Sequence, residues 1–122
     1  MRFRKLFLKI VLLVFGMSFA IIGVLHFAIP KKYHEWYNMI YNANDPFDIT
    51  AAKTIGLWAF TNSIIAFWAF VSYERNKTLL IFLMITCFGF IFVHIPEFIN
   101  GLLPWPFAIM LALVGVILIA LK

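Results

Sequence analysis

The chain has 122 residues, of which 65% are hydrophobic and 12% are charged, and its formal net charge is +5. Its mean hydropathy of +1.01 is far above that of ordinary soluble domains, so the composition predicts an integral membrane protein. The basic residues are too dispersed along the chain to form a nucleic-acid-binding surface. Because the sequence has neither a phosphate-binding loop nor a nucleophile elbow, it does not support nucleotide-driven or hydrolytic functions either.

The first apolar segment, at about 6–29, follows a cluster of basic residues and ends before Pro30. At about 1.5 Å per residue, a helix of this length crosses one bilayer core of roughly 30 Å. A secretory signal peptide also combines basic residues with an apolar run, but its apolar core of about 7–15 residues is shorter than this segment. We therefore expect a retained first transmembrane helix.

The segment 30–53 is the longest polar stretch, and we expect it to form an outward loop. Its aromatic residues are typical of an interfacial belt, so the loop should contain a short interfacial helix followed by a turn. The turn falls at the sequence NANDPFD, after which Asp48 or Thr50 is expected to cap the next helix. The charged residues of the loop, together with His34, are expected to face water or lipid headgroups.

Three further apolar segments, at about 54–72, 78–96 and 104–121, are also predicted to cross the membrane. No segment shows the pattern of a strand. The predicted fold is therefore all-α: a single-domain integral membrane bundle of four antiparallel transmembrane helices. Seven of the Lys and Arg residues fall on the side of the two termini and three on the other side. Since Lys and Arg are enriched in cytoplasmic loops, both termini are expected in the cytoplasm.

Polar side chains near the outward ends of these spans are the candidate functional residues. His26 lies near the outward end of the first span and His94 near that of the third, so the topology brings both to a similar depth. Ionisable groups at membrane depth are costly and are therefore functional candidates. We expect them to share an outward-opening polar pocket. The candidate ligand-binding residues are His26, His94, Glu97, Trp58, Asn62 and Asn100.

Two interpretations of these residues remain open. In the first, the histidines and Glu97 bind a proton, a metal, a haem or a quinone headgroup, because histidine titrates near neutral pH and ligates metals. In the second, each histidine reaches water at the headgroups or bonds a neighbouring amide or a freed backbone carbonyl. A metal site is poorly supported, because the sequence contains no HxxxH, no ExxH and no pair of cysteines. No catalytic residue is assigned.

Small residues on the first span predict a close helix contact. Gly16, Ala20 and Gly23 lie on one stripe, which allows a neighbouring backbone to approach, either within the bundle or in a homodimer. Cys87, the single cysteine, has no partner for an intrachain disulfide and is interpreted as a small packing residue.

The sequences GVLHFAIP at the end of the first span and HIPEFING at the end of the third, together with Gly56, resemble the DoxX-like family of small four-helix bacterial membrane proteins. The resemblance covers nearly the whole chain and implies a multi-pass bundle in the bacterial cytoplasmic (inner) membrane. One departure is Ala59, where the family commonly has an acidic residue. The positions that the resemblance selects are Gly23, His26, Phe27, Pro30, Gly56, Pro96 and Asn100.

Members of that family are linked to thiosulfate:quinone oxidoreductase subunits and to redox-stress complexes. The leading hypothesis is therefore a non-catalytic or accessory subunit of a quinone-linked redox or membrane-stress system, with quinone as the candidate ligand. Its expected partners are the lipid bilayer and a membrane protein or a second copy of the chain. The alternatives are a membrane interaction or immunity protein and a small-solute transporter. Proton-coupled multidrug export is disfavoured, because the first span lacks the glutamate that small exporters carry there.

Overall fold

The computed structural model describes residues 2–36, 39–72, 74–93, 95–101, 110, 112–115 and 117, with only the backbone at 97 and 98. These residues form helices joined by turns and short irregular segments, without a strand, which confirms the all-α class. The helices, in chain order, are α1 (Arg2–Ala28), α2 (Pro30–Trp36), α3 (Pro46–Ser72), α4 (Thr78–Val93) and α5 (Ile95–Ile99).

Helices α1 and α2 follow one another with only Ile29 between them. The Ile29 N–H donates to the Leu25 carbonyl at 2.9 Å, and the Tyr33 N–H donates to the Ile29 carbonyl at 3.0 Å. Pro30 has no N–H to donate, but the first position of a helix tolerates proline because its N–H has no partner within the helix. The short helix predicted in the loop is therefore present, and it begins directly after α1 ends.

Helix α3 begins at Pro46, several residues before the predicted start of the second span. The cap predicted at Asp48 or Thr50 is wrong, because Asp45 caps the helix instead. One Asp45 carboxylate oxygen accepts the Phe47 N–H at 2.9 Å. An aspartate cap followed by proline at the first helical position is a strong start signal, since each suits the unpaired N–H groups there.

Helices α1 and α3 form the principal pair and run antiparallel. Near their centres the Ser63 hydroxyl donates to the Gly16 carbonyl at 2.6 Å, and at one end Lys5 Nζ lies 2.7 Å from Glu74 Oε1. Going back along α1 from Gly16 to Lys5, the partner advances along the chain from Ser63 to Glu74, so the two helices run in opposite directions. This direction matches the predicted order of the first two spans.

Large side chains of α1 pack against small residues of α3. The buried positions of both helices recur at intervals of three and four, the spacing of a face that packs on another helix. The small face of α3 lets the two helices approach closely. The main contributors are Leu8, Leu12, Phe15, Phe19 and Ile22 on α1, and Ala52, Gly56, Ala59, Ser63 and Ala66 on α3.

The glycines of the predicted small-residue stripe face α3 within the same chain. A Cβ added at Gly16 would lie 3.0 Å from the Phe67 ring, and one added at Gly23 would lie 2.8 Å from the Phe60 ring. Both distances are shorter than an ordinary carbon contact of about 3.5–4.0 Å. Close packing inside the bundle, one of the two interpretations of the stripe, therefore accounts for these glycines.

Among the described residues, helices α1 and α3 are long and apolar enough to cross a membrane, judged by length and composition. Each has 27 residues, whereas the apolar helix α4 has 16. Beyond α5, residues 110, 112–115 and 117 are helical. Of these, Met110, Leu113 and Ile117 are fully buried in the same core as α1, α3 and α4.

Candidate functional site

His26 lies in the last turn of α1 and is only 4% exposed. Its Nδ1 is 2.8 Å from the Ile22 carbonyl oxygen. A carbonyl only accepts hydrogen bonds, so Nδ1 must carry the hydrogen and donate. In the neutral ring, Nε2 is then left with its lone pair as an acceptor. Gly56 permits this position, because a Cβ there would lie 3.1 Å from the His26 Cβ.

His34 is buried as well, at 7% exposure, so the expectation that it faces water or headgroups is wrong. Its Nδ1 is 2.6 Å from the Pro30 carbonyl oxygen, which fixes the same tautomer as in His26. The reason is a bend at Ile29 and Pro30, because the rings of His26 and His34 lie 5.6 Å apart, whereas eight residues of straight helix span about 12 Å.

The rings of four residues gather at this point. The His26 ring lies 4.4 Å from that of Tyr33 and 5.6 Å from that of His34, between centroids. The Tyr41 ring stacks on His34 with centroids 5.0 Å apart. We call His26, Tyr33, His34 and Tyr41 the imidazole–tyrosine cluster. It places two imidazole rings, each with Nδ1 bonded to a backbone carbonyl, beside two tyrosine rings.

An open depression of about 450 Å³ adjoins this cluster. Its walls include the chain around Pro30 and the side chains of Lys31, Lys32, Glu35 and Tyr41. Tyr41 belongs both to the depression and to the cluster. The volume lies within the range of about 300–1,000 Å³ that small-molecule sites occupy. The depression therefore meets the cluster at Tyr41, whose ring stacks on His34.

Asn62 links α3 to α4 away from the imidazole–tyrosine cluster. It is almost fully buried, and its Nδ2 donates to the Trp58 carbonyl at 2.9 Å. Its Oδ1 accepts the Thr86 hydroxyl of α4 at 2.7 Å. Asn62 lies six residues after Gly56, the residue that packs on His26, which corresponds to about 9 Å along a helix. The structure therefore does not bring Asn62 to the cluster.

Trp58 packs between aromatic rings of two other helices. Its ring lies 5.6 Å from Phe19 in an edge contact and 4.7 Å from Phe90 in a stacked one, between centroids. Phe19 is seven residues before His26, about 10 Å away along α1. Trp58 thus joins α1, α3 and α4 through these ring contacts.

The remaining predicted site residues follow α4. His94 lies outside the described residues, as does the side chain of Glu97, whose backbone is in α5. Asn100 is exposed, and its N–H donates to the Pro96 carbonyl at 3.2 Å in the turn that ends α5. Gly101 follows with a φ of +77°, the left-handed conformation that often terminates helices. A pocket shared by His26, His94 and Glu97 stays a prediction.

Within the described part of the chain, no group of three or more His, Cys, Asp or Glu side chains is placed to hold a metal ion. Cys87 is fully buried in the core, which confirms its interpretation as a packing residue.

No protein-family model matches the sequence, and no match was found among curated proteins or among solved structures. The resemblance to the DoxX-like family therefore rests on the sequence motifs alone.

Proposed function

We propose that this chain is a DoxX-like, multi-pass membrane protein that binds the headgroup of a quinol at the imidazole–tyrosine cluster. In this proposal it is a non-catalytic, accessory subunit of a quinone-linked redox or membrane-stress system. The observation that carries the proposal is the pair of buried imidazoles, His26 and His34, whose Nδ1 atoms are both committed to backbone carbonyls.

The membrane location is supported by the helices and their surfaces. Helices α1 and α3 have the length and apolar composition of membrane spans, and many large apolar side chains of α1, α3 and α4 point outward. Such extended apolar surfaces suit lipid. We include in the proposal four antiparallel spans with both termini in the cytoplasm of a bacterium, as the distribution of Lys and Arg favours.

The chemistry of the cluster favours the reduced form of the ligand. A quinol carries two hydroxyl groups, which donate hydrogen bonds, whereas an oxidised quinone has only acceptors. Each neutral imidazole offers an acceptor at Nε2, because Nδ1 donates to the backbone. The rings of Tyr33 and Tyr41 add flat apolar surfaces on which an aromatic ring packs. The hydroxyl groups of a quinol therefore complement these acceptors, which the carbonyl groups of a quinone do not.

The accessory role follows from the family resemblance, since members of that family are linked to quinone oxidoreductase subunits. In such an assembly a partner membrane protein carries the redox centre. The cluster then holds the quinol ring and accepts its hydrogen bonds at the edge of the membrane.

The proposal is tested with the purified full-length chain in a mild detergent, kept anaerobic. The binding of a short-chain benzoquinol is measured by calorimetry beside its oxidised quinone and its dimethyl ether, which cannot donate a hydrogen bond. We expect the quinol to bind most tightly. Each lost hydrogen bond should weaken binding by about two- to tenfold.

A matched variant separates ligand binding from folding. Asparagine at position 26 retains a donor for the carbonyl four residues earlier, the bond that Asn62 makes in this chain. Its own oxygen takes the place of the ring Cδ2, so the position of Nε2 is left without an acceptor. His26→Asn and His34→Asn should therefore keep the helix content and lose quinol affinity. Equal binding of the quinol and its dimethyl ether would refute the proposal. So would unchanged affinity in both variants, a result that favours the interaction-protein alternative.

A further inference from the structure

A second cavity, of about 340 Å³, lies at the opposite end of the α1–α3 pair. It is lined by Lys9 of α1, by Val71 and Ser72 at the end of α3, and by Glu74 and Arg75 in the turn that follows. None of these residues belongs to the imidazole–tyrosine cluster. The cavity is therefore a separate feature of the fold.

The charged side chains that line this cavity give it a net positive charge. The Glu74 carboxylate lies 2.7 Å from Lys5 Nζ, so its charge is offset by a residue that does not line the cavity. Within the described part of the chain, Lys9 and Arg75 form no ion pair. The Lys9 ammonium lies 5.6 Å from the centre of the Phe70 ring, which keeps this side chain against α3. The two cations therefore face the cavity without a carboxylate of their own.

Apolar surfaces begin directly beside these cations, on the side toward the middle of the helices. Leu13 lies one turn after Lys9 on the same face of α1 and is partly exposed. On α3, Val71 is 79% exposed and Trp68 is 58% exposed. A ligand in this cavity thus meets cations at one end and bare apolar side chains at the other. An anionic headgroup joined to acyl chains has this combination, whereas a free phosphate ion uses only the polar end.

We propose that this cavity binds the phosphate headgroup of an anionic phospholipid, with Lys9 and Arg75 on the phosphate and Trp68 and Val71 along the acyl chains. Arginine pairs with phosphate through two parallel N–H donors, and lysine adds a point charge. Basic pockets between membrane helices on the cytoplasmic side commonly take such headgroups. This is the end of the bundle that the charge distribution assigns to the cytoplasm. The inference shares the proposed membrane location but not the quinol site, so the two tests fail independently.

The test is native mass spectrometry of the full-length chain in detergent, mixed with equal amounts of phosphatidylglycerol and phosphatidylcholine that carry the same acyl chains. We expect the protein to retain phosphatidylglycerol preferentially. Each charged hydrogen bond to the phosphate should contribute about tenfold or more to binding, so the double variant Lys9→Gln/Arg75→Gln should lose about 100-fold. The charge-preserving variant Lys9→Arg/Arg75→Lys should retain the preference.

A charge-matched control decides whether the cavity or the whole basic end is responsible. Arg2→Gln/Arg4→Gln removes the same charge from the same end without touching the lining, and should weaken the preference much less. An equal loss in this control would overturn the proposal in favour of diffuse attraction. Displacement of the lipid by an equal concentration of inorganic phosphate would overturn it in favour of a phosphate-ion site. A wild-type protein without a preference between the two lipids would also refute it.

Discussion

Replacing Gly23 by alanine should destabilise the bundle, although alanine is the better helix former. The added Cβ would lie 2.8 Å from Cδ2 and 2.9 Å from Cγ of Phe60. Since carbon atoms prefer about 3.5–4.0 Å, the two helices must separate by roughly 0.7 Å or the ring must leave its rotamer. Cγ is the first ring atom, so it moves only if χ1 or the backbone moves. Overpacking of this kind costs about 1–3 kcal/mol.

Gly89 supplies the matched control for this prediction. It lies in α4, is exposed, and has no atom within 4 Å of the position of an added Cβ. Gly89→Ala should therefore gain the helix propensity of alanine, about 1 kcal/mol, without a clash. Because Gly23→Ala has the same propensity gain, the free energies of unfolding of the two variants should differ by the overpacking cost, about 1–3 kcal/mol.

The assay is equilibrium unfolding in mixed micelles, followed through the helical circular dichroism signal. The double variant Gly23→Ala/Phe60→Leu should recover part of the lost stability, because a smaller side chain at position 60 makes room for the new methyl group. If Gly23→Ala proves as stable as Gly89→Ala, the close contact between α1 and α3 at this point does not exist, and the packing argument fails.

Three further predictions concern polar contacts and use the same unfolding assay. Ser63→Ala should lower the free energy of unfolding by about 0.6 kcal/mol, a typical value for an interhelical hydrogen bond. Ser72→Ala, which loses a bond within its own helix, should lower it by less, and equal losses would contradict the interhelical bond. Thr86→Val should cost about 1–3 kcal/mol, because it leaves the buried Asn62 oxygen without its hydroxyl donor, while Thr86→Ser should stay near wild type. Asp45→Ala should cost about 1 kcal/mol through loss of the α3 cap, and an unchanged midpoint would show that the cap is dispensable.

The helical class was predictable because hydropathy alone determines it. Runs of apolar residues long enough for a bilayer cannot be strands in a chain without an alternating pattern. The first span was placed within a few residues of α1 for this reason. The glycine stripe of α1 was also visible in the sequence, but the surface that packs against it was not. The contacts of Gly23 with Phe60 and of Gly16 with Phe67 identify that surface as α3 of the same chain.

The start of α3 was misjudged because the sequence was divided by polarity. Residues 46–53 are less apolar than those that follow, and they were therefore assigned to the loop. Capping chemistry is the stronger signal at a helix start. Asp45 followed by Pro46 would have placed the boundary correctly.

His34 was missed because Pro30 was taken as the end of the helix. Proline interrupts a helix from its interior but fits at the first position, and here a second helix begins at Pro30. The bend between the two helices brings the ring of His34 to 5.6 Å from that of His26, and no spacing of residues in the sequence predicts that bend. The position of Asn62 relative to His26 could not be predicted, because it depends on the register of α3 against α1.

The junction of α1 and α2 has a consequence for the shape of the cluster. Along a straight helix His34 would lie about 12 Å beyond His26, yet the centroids of the two rings are 5.6 Å apart. The chain therefore bends at Ile29 and Pro30, where proline removes one helical hydrogen bond. The bend turns two successive helices into an aromatic corner at the end of α1. In the proposed membrane arrangement, a molecule with an apolar tail and a polar ring reaches this corner by lateral diffusion within the lipid.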